Sequence, residues 1–183
     1  MRLASAVALA LAAAACAAPA PKPVYSVREK TQLTYCAGLG DVALGIAGRK
    51  ARGAGVEETR ASYAAQANAK ITVPLVEKVY ADHVGSPWDY AVAFFGECAT
   101  NVAGVPEQRA ELAGYCFQHG LIASAAAGAK ARGAPKETVY REFERLASPT
   151  THAVIDSVYA QSQTRAEAEL DAWNACMAPL AGA

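Results

Sequence analysis

The chain has 183 residues, with 17 Lys and Arg, 17 Asp and Glu, and no formal net charge at pH 7. This balance excludes the basic footprint of a nucleic-acid-binding protein, so we expect no nucleic-acid partner. The sequence also lacks the basic amphipathic face that would hold a protein on a membrane surface.

The first residues predict export. Arg2 precedes an uncharged run, LASAVALALAAAA, over residues 3–15. The run is too short to span a bilayer and is typical of the apolar segment of a signal peptide. We assign residues 1–15 to a signal peptide and predict no transmembrane helix in the rest of the sequence.

Two interpretations are open for the end of the signal. AAAC at 13–16 resembles the bacterial lipobox, in which small residues precede a cysteine that becomes lipid-modified, although Ala replaces the usual Leu. Residues 16–27, which contain AAPAPKP, would then form an extended tether, and Ala17 in place of Asp favours the outer membrane. The alternative is cleavage after Ala17, which would remove Cys16 and leave a soluble periplasmic protein. An odd number of cysteines in an exported chain favours lipidation of Cys16.

The remaining sequence repeats itself at an offset of about eighty positions, a period that indicates a duplicated unit. KARGA at 50–54 recurs at 130–134, and VYA at 79–81 recurs at 158–160 after one deletion. We therefore predict two tandem units. Their boundaries are 28–104 and 105–183.

Four cysteines follow the same repeat, because each unit has one early and one late cysteine. A duplicated unit should keep its own bridge, so of the three possible pairings we predict Cys36–Cys98 and Cys116–Cys176. Export supplies the oxidising conditions that this requires. Closing a loop of about sixty residues contributes ~4 kcal/mol in the chain-entropy model. The alternative is four buried free thiols.

Each unit is predicted to contain about four helices. In the first unit, small and apolar residues recur on one helical face over 36–47. We expect further helices over 57–69 and 74–82, and a fourth that begins at the N-cap Ser86.

The second unit repeats this pattern. Its second helix is expected to start near Pro135, its third to cover 150–161, and its fourth to begin with the capping box of Thr164. No segment alternates with a period of two, so the predicted fold class is all-α.

The repeated KARGA motif has two interpretations. Basic residues beside a glycine could bind an anion, but phosphate sites usually lie at helix N-termini. Here the basic residues fall in the last turn of a helix, where cations favour the dipole and glycine permits a left-handed residue. We therefore predict a helix stop. Its residues are Lys50, Arg52 and Gly53 in the first unit and Lys130, Arg132 and Gly133 in the second.

The sequence carries no recognisable catalytic motif, and its three histidines are scattered. Cys116 and His119 have a spacing that is possible for metal ligands. His119 also lies on an apolar stripe, however, which favours a histidine packed in the core. We predict no catalytic residue, no cofactor and no metal.

Two segments carry a resemblance to known proteins: CAGLGDVALGIAGRKARGAGVEE at 36–58 and VYADHVGSPWDYAVAFFGEC at 79–98. They resemble a broad group of small exported proteobacterial helical proteins with the pattern Cys, basic-x-x-Gly, Val-Tyr, Ser-Pro and Cys. The second unit keeps this pattern except for the Ser-Pro. The group has no assigned biochemical function, so the resemblance implies a helical fold and export only.

These features leave two functional classes. The first is a non-enzymatic envelope lipoprotein that binds or inhibits another protein, including an immunity-type protein. The alternative is a periplasmic holdase chaperone or a structural envelope factor that binds through exposed apolar surface. In both cases we expect an unidentified protein partner and membrane contact through the N-terminal lipid only.

Overall fold

A computed structural model of the chain describes residues 23–182. The predicted signal peptide, Cys16 and most of the predicted tether lie outside these residues. The described chain contains eight α-helices, one short 3-10 helix and no strand, apart from an isolated parallel bridge between Tyr25 and Ala181. The predicted all-α class is confirmed.

The helices form two sets of four in chain order, which we call the first half and the second half. The first half contains α1 (Val27–Ala51), α2 (Val56–Ala64), α3 (Ala69–Ala81) and α4 (Pro87–Asn101). The second half contains α5 (Glu107–Ala131), α6 (Lys136–Glu142), α7 (Pro149–Ala160) and α8 (Arg165–Met177), with the 3-10 helix Glu144–Leu146 after α6. This order and these lengths agree with the predicted repeat, and the tandem duplication itself stays an interpretation.

Local caps set where several helices begin. The Thr164 side chain accepts from the Glu167 N–H, and the Glu167 carboxylate accepts from the Thr164 N–H, which forms the predicted capping box of α8. Ser86 caps α4 by accepting from the Asp89 N–H, with Pro at the first helical position. Both predicted N-caps are confirmed.

Two predicted boundaries in the first half were wrong. Helix α2 ends at Ala64, five residues before the predicted end at 69. Helix α3 begins at Ala69 instead of Pro74, which lies inside the helix. A proline there removes one intrahelical hydrogen bond. The helix tolerates this because Thr72, Leu75 and Val76 bury one face of the same turns.

The core is shared by the two halves. Helices α1 and α4 pack together, as do α5 and α8, and α4 packs on α5. Phe95 of α4 stacks on Phe117 of α5 with ring centroids 4.8 Å apart, and Trp173 of α8 meets Phe95 edge-on. A Cβ added to Gly40 of α1 would lie 2.5 Å from the Phe117 ring, so a larger residue there would displace the ring. The halves therefore pack around one central cluster.

Two disulfides lie at the same place in each half. Cys36 of α1 is bonded to Cys98 of α4, and Cys116 of α5 to Cys176 of α8, with Cα–Cα distances of 5.6 and 5.4 Å. The predicted pairing is confirmed. Each bridge ties the first helix of a half to its fourth helix.

The fold begins earlier than the predicted tether boundary at residue 27. Tyr25 is fully buried, and its N–H donates to the Leu180 carbonyl while its own carbonyl accepts from the Gly182 N–H. The Arg109 guanidinium donates to the Val24 carbonyl. Residues 24–27 therefore belong to the folded domain. The Tyr25 ring, which follows the Pro-rich stretch directly, enters the core.

The KARGA segments end α1 and α5 as predicted. Gly53 and Gly133 have φ angles of +85° and +75°, the left-handed conformation that glycine adopts without strain. The Gly53 N–H donates to the Lys50 carbonyl and the Ala54 N–H to the Arg49 carbonyl, which defines a Schellman motif. The second half forms the same two hydrogen bonds.

The lysines of these segments bind the end of another helix and not the end of the helix to which they belong. Lys50 Nζ donates to the carbonyls of Val79, Tyr80 and Asp82, at 3.0, 3.0 and 2.6 Å, and so binds the C-terminal end of α3. In return, the Tyr80 hydroxyl donates to the Ala54 carbonyl, just after α1. We call this pair of contacts the reciprocal cap.

The second half has the same reciprocal cap. Lys130 Nζ donates to the carbonyls of Val158, Tyr159 and Gln161, and the Tyr159 hydroxyl donates to the Ala134 carbonyl. A lysine ammonium has three protons. All three are used here, so an anion has no ammonium proton left to accept from.

We predict that Lys50→Met lowers the free energy of unfolding by about 1–3 kcal/mol, because three partly buried carbonyls lose a charged donor while the apolar stem is kept. The measurement is urea unfolding followed by circular dichroism. The control is Lys70→Met, an exposed position on α3, with an expected change within about 0.5 kcal/mol. Equal effects of the two substitutions would contradict the reciprocal cap as a source of stability.

Candidate functional site

A mainly apolar concave surface lies between α5, α7 and α8, and we call it the second-half groove. It has a volume of about 550 Å³, within the usual range of binding pockets. Its walls come from one face of α7, the facing side of α8 and the middle of α5. The residues that carry the argument below are Tyr115, His119, Val154, Ala168, Ala172 and Ala175.

His119 is a buried polar group at the α5 wall of this groove. Its side chain is 4% exposed, and its Nε2 has no hydrogen-bond partner within the described residues. The Tyr115 ring meets the imidazole edge-on, with ring centroids 4.3 Å apart. Burial lowers the pKa of His119, so the ring is neutral at pH 7. The prediction of a buried histidine is confirmed, and the structure adds that this histidine borders a groove.

A second concave surface, the carboxylate cleft, lies where α1 meets α8. It is lined by Asp41 and Tyr63 from the first half and by Ser124, Arg165 and Glu169 from the second half, with a volume of about 420 Å³. The two carboxylates come from different halves. The charges of these two carboxylates therefore influence how favourably the two halves pack together.

The carboxylates of this cleft are less acidic than usual. Burial, together with the nearby charge of Asp41, raises the pKa of Glu169 to about 7. A hydrogen bond with Ser124 and the charge of Arg165 partly oppose this shift. Burial also raises the pKa of Asp41. The pair can therefore take up a proton near neutral pH.

The predicted site residues lie away from both surfaces, with one exception. Cys16 lies outside the described residues. The disulfides lie inside the core, and the KARGA segments lie at the ends of α1 and α5. Only Cys176, half-buried, also borders the second-half groove.

The sequence predictions missed both concave surfaces. The Asp41–Glu169 pair joins residues that are far apart in the chain, and neither belongs to a motif. The groove could have been suspected from the row of small residues on α8, namely Ala168, Ala172 and Ala175. A row of alanines is equally typical of a helix packed closely on its neighbour, so this signal was ambiguous.

Three findings bear on the class of protein. Among residues 23–182, no three His, Cys, Asp or Glu side chains are grouped closely enough to hold a metal ion. No helix in that same part of the chain is both long and apolar enough to cross a membrane. The two disulfides indicate an oxidising compartment, as expected after export.

The fold and its bridges define a small helical protein with two disulfides and two similar halves. In comparisons with known proteins, no family model, no curated protein and no solved structure matches this chain.

We predict that Glu169→Gln changes how stability depends on pH. A carboxyl with a raised pKa in the folded state binds its proton more tightly there, so it stabilises the fold at acidic pH. That contribution is lost as the pH rises from about 4.5 to about 7. Partial exposure reduces the effect to ~1–2 kcal/mol. Relative to the wild type, Glu169→Gln should therefore be more stable at pH 8 than at pH 5.

The measurement is urea unfolding of both proteins at pH 5 and pH 8, with Glu111→Gln, an exposed position on α5, as the control. His119 acts in the opposite direction, because its lowered pKa removes stability as the pH falls. Comparing variant with wild type at each pH cancels that contribution. A difference that does not change between the two pH values would contradict the assignment to Glu169.

Proposed function

We propose that this chain is an envelope lipoprotein that binds a partner protein in the second-half groove, without turnover, as an inhibitor or immunity-type module would. The groove is the observation that carries the proposal. It is open, mainly apolar and edged by a few polar groups, a character shared by the grooves that receive an amphipathic helix of another protein.

The rigidity of the walls supports a defined binding site. Helix α8 is held to α5 by the Cys116–Cys176 bridge and to α1 by a hydrogen bond from Trp173 Nε1 to Thr34 Oγ1, at 3.0 Å. The end of α7 is held by Lys130. A preformed groove loses little conformational entropy when a partner binds, which favours affinity.

The alternative role, a holdase chaperone, depends on diffuse apolar surface. Large exposed apolar side chains occur on α1, α3, α5 and α8, for example Val27, Ile71 and Leu170. Single exposed apolar residues are normal on soluble proteins. In the groove, the apolar atoms lie together on one surface. This arrangement favours binding of one specific partner over binding of many unfolded proteins.

The lipid anchor is part of the same proposal. Cys16 would carry the lipid, residues 17–23 would span the distance to the folded domain, and the domain would face the periplasm from the outer membrane. Seven residues of extended chain reach about 20 Å. The groove would then lie within reach of partners at the membrane surface.

We expect Cys16→Ala to convert a membrane-bound protein into a soluble or unprocessed one, because the lipid would be the only anchor. Fractionation of the envelope and mass spectrometry of the mature N-terminus measure this, with Ala20→Ser as the control that keeps the cysteine. Recovery of the wild type from the soluble periplasm with Ala18 as its first residue would contradict lipidation.

We expect Ala175→Glu to abolish partner binding, because it places a charge at the exposed rim of the groove. The matched control is Leu170→Glu, which adds the same charge to α8 outside the groove lining and replaces a side chain that is 50% exposed. Tagged protein is cross-linked in envelope extract, and the recovered partner is purified and titrated back.

The result expected is one-to-one binding by the wild type and by Leu170→Glu, with affinity reduced about tenfold or more by Ala175→Glu. Equal binding by all three proteins would show that the partner uses another surface. Turnover of an envelope polymer by the purified protein would contradict a stoichiometric role.

A further inference from the structure

The two halves allow a direct comparison of equivalent positions. The disulfides place Cys98 of α4 opposite Cys176 of α8. The lysine contacts place Val79 of α3 opposite Val158 of α7. With these two anchors, the groove between α7 and α8 corresponds to the space between α3 and α4.

In the first half, that space is filled by aromatic side chains of α4. Tyr90 and Phe94 lie one turn apart with ring centroids 6.5 Å apart, and both pack on the apolar cluster that includes Leu75 and Val79. The Tyr90 hydroxyl donates to Asp82 Oδ2 at 2.8 Å.

Charged residues also bridge the first-half space. Lys78 Nζ of α3 lies 3.0 Å from Asp82 Oδ2 and 4.0 Å from Glu97 Oε2 of α4. The space between α3 and α4 is occupied mainly by the Tyr90 and Phe94 side chains, and the two helix backbones make little direct contact. The first half is therefore closed.

In the second half, the equivalent positions carry small residues. Ala168 and Ala172 stand where the first half has Tyr90 and Phe94, and Ser157 and Ala175 stand where it has Lys78 and Glu97. The side chains that close the first half are thus missing together at one place. That place is the second-half groove, and His119 borders it with an unpartnered, buried Nε2.

We propose that the second-half groove receives two aromatic side chains, one helical turn apart, from a helical segment of the partner protein. The pair would occupy the space that Tyr90 and Phe94 occupy in the first half. A tyrosine in the first position would keep a polar contact at the end of α7, where Gln161 stands in place of Asp82. Helices that insert residues at i and i+4 into an apolar groove are a known mode of recognition.

Charge narrows the chemistry of the segment further. Asp171 is the charged side chain that lines the groove, and it accepts a hydrogen bond from Gln163 at its rim. Opposite charges at a rim favour association of the correct partner. The partner segment should therefore carry a Lys or Arg beside its aromatic pair.

The inference rests on the proposed function, and a peptide from this chain tests it separately. The probe is a synthetic peptide of residues 86–97 with Glu97→Lys, SPWDYAVAFFGK, which presents Tyr90 and Phe94 at the required spacing and a basic residue beside them. The control peptide has alanine in place of Tyr90 and Phe94. Binding to the full folded chain is followed by changes in the backbone NMR signals of Ala153, Ala172 and Gln161.

The matched protein variant is Ala168→Tyr with Ala172→Phe, which fills the second-half groove as the first half is filled. The expected result is saturable binding of the aromatic peptide to the wild type. The filled variant and the alanine peptide should each weaken this binding about tenfold or more, because each removes the burial of two rings. Ala172→Phe alone, at a half-buried position, serves where the double variant does not fold, which circular dichroism reports.

If the aromatic peptide binds the wild type and the filled variants with the same affinity, the inference is wrong. It is also wrong if the peptide leaves the NMR signals of the groove residues unchanged. If the peptide fails while Ala175→Glu still abolishes capture of the envelope partner, the aromatic inference is wrong and the proposed function stands. If the peptide binds in the groove but the Ala175→Glu variant captures the partner normally, the groove chemistry stands and the proposed function is wrong.

Discussion

The ammonium groups of Lys50 and Lys130 hold the architecture of each half together. Each group binds three carbonyls at the end of a helix about thirty residues further along the chain, and a tyrosine from that helix returns a hydrogen bond to the KARGA loop. Helix ends leave carbonyls without partners, and a cation there also favours the dipole. The first and third helices of each half are therefore fixed at one corner, and the disulfide fixes the first and fourth helices at another. The space between the third and fourth helices is the part that neither contact determines.

That undetermined space explains why two similar halves differ in character. Their frames use the same contacts, so substitutions between the third and fourth helices leave the frame intact. In the first half, Tyr90 and Phe94 complete the apolar cluster around Val79. In the second half, Ala168 and Ala172 leave the equivalent cluster around Val158 open to the groove. Two halves held by the same contacts can therefore differ in the space between their third and fourth helices.

The sequence predicted what depends on local or repeated signals. The N-caps Ser86 and Thr164, the glycines that end α1 and α5, and the disulfide pairing followed from spacing and from the repeat. The sequence did not reveal the acceptors of Lys50, because main-chain carbonyls carry no residue-type signal. It misassigned residues around Tyr25, because a Pro-rich stretch directly precedes them. It missed the groove and the Asp41–Glu169 pair, because both depend on how helices from distant parts of the chain are placed.

The bridge between Tyr25 and Ala181 brings the two ends of the described chain to one point. A short linker would therefore join residue 182 to residue 23 without moving a helix, and new ends could be opened at Gly104, in the short connection between α4 and α5. The resulting circular permutant would place the second half before the first and keep both disulfides within their halves. The contacts of the fold are thus compatible with either order of the halves along the chain.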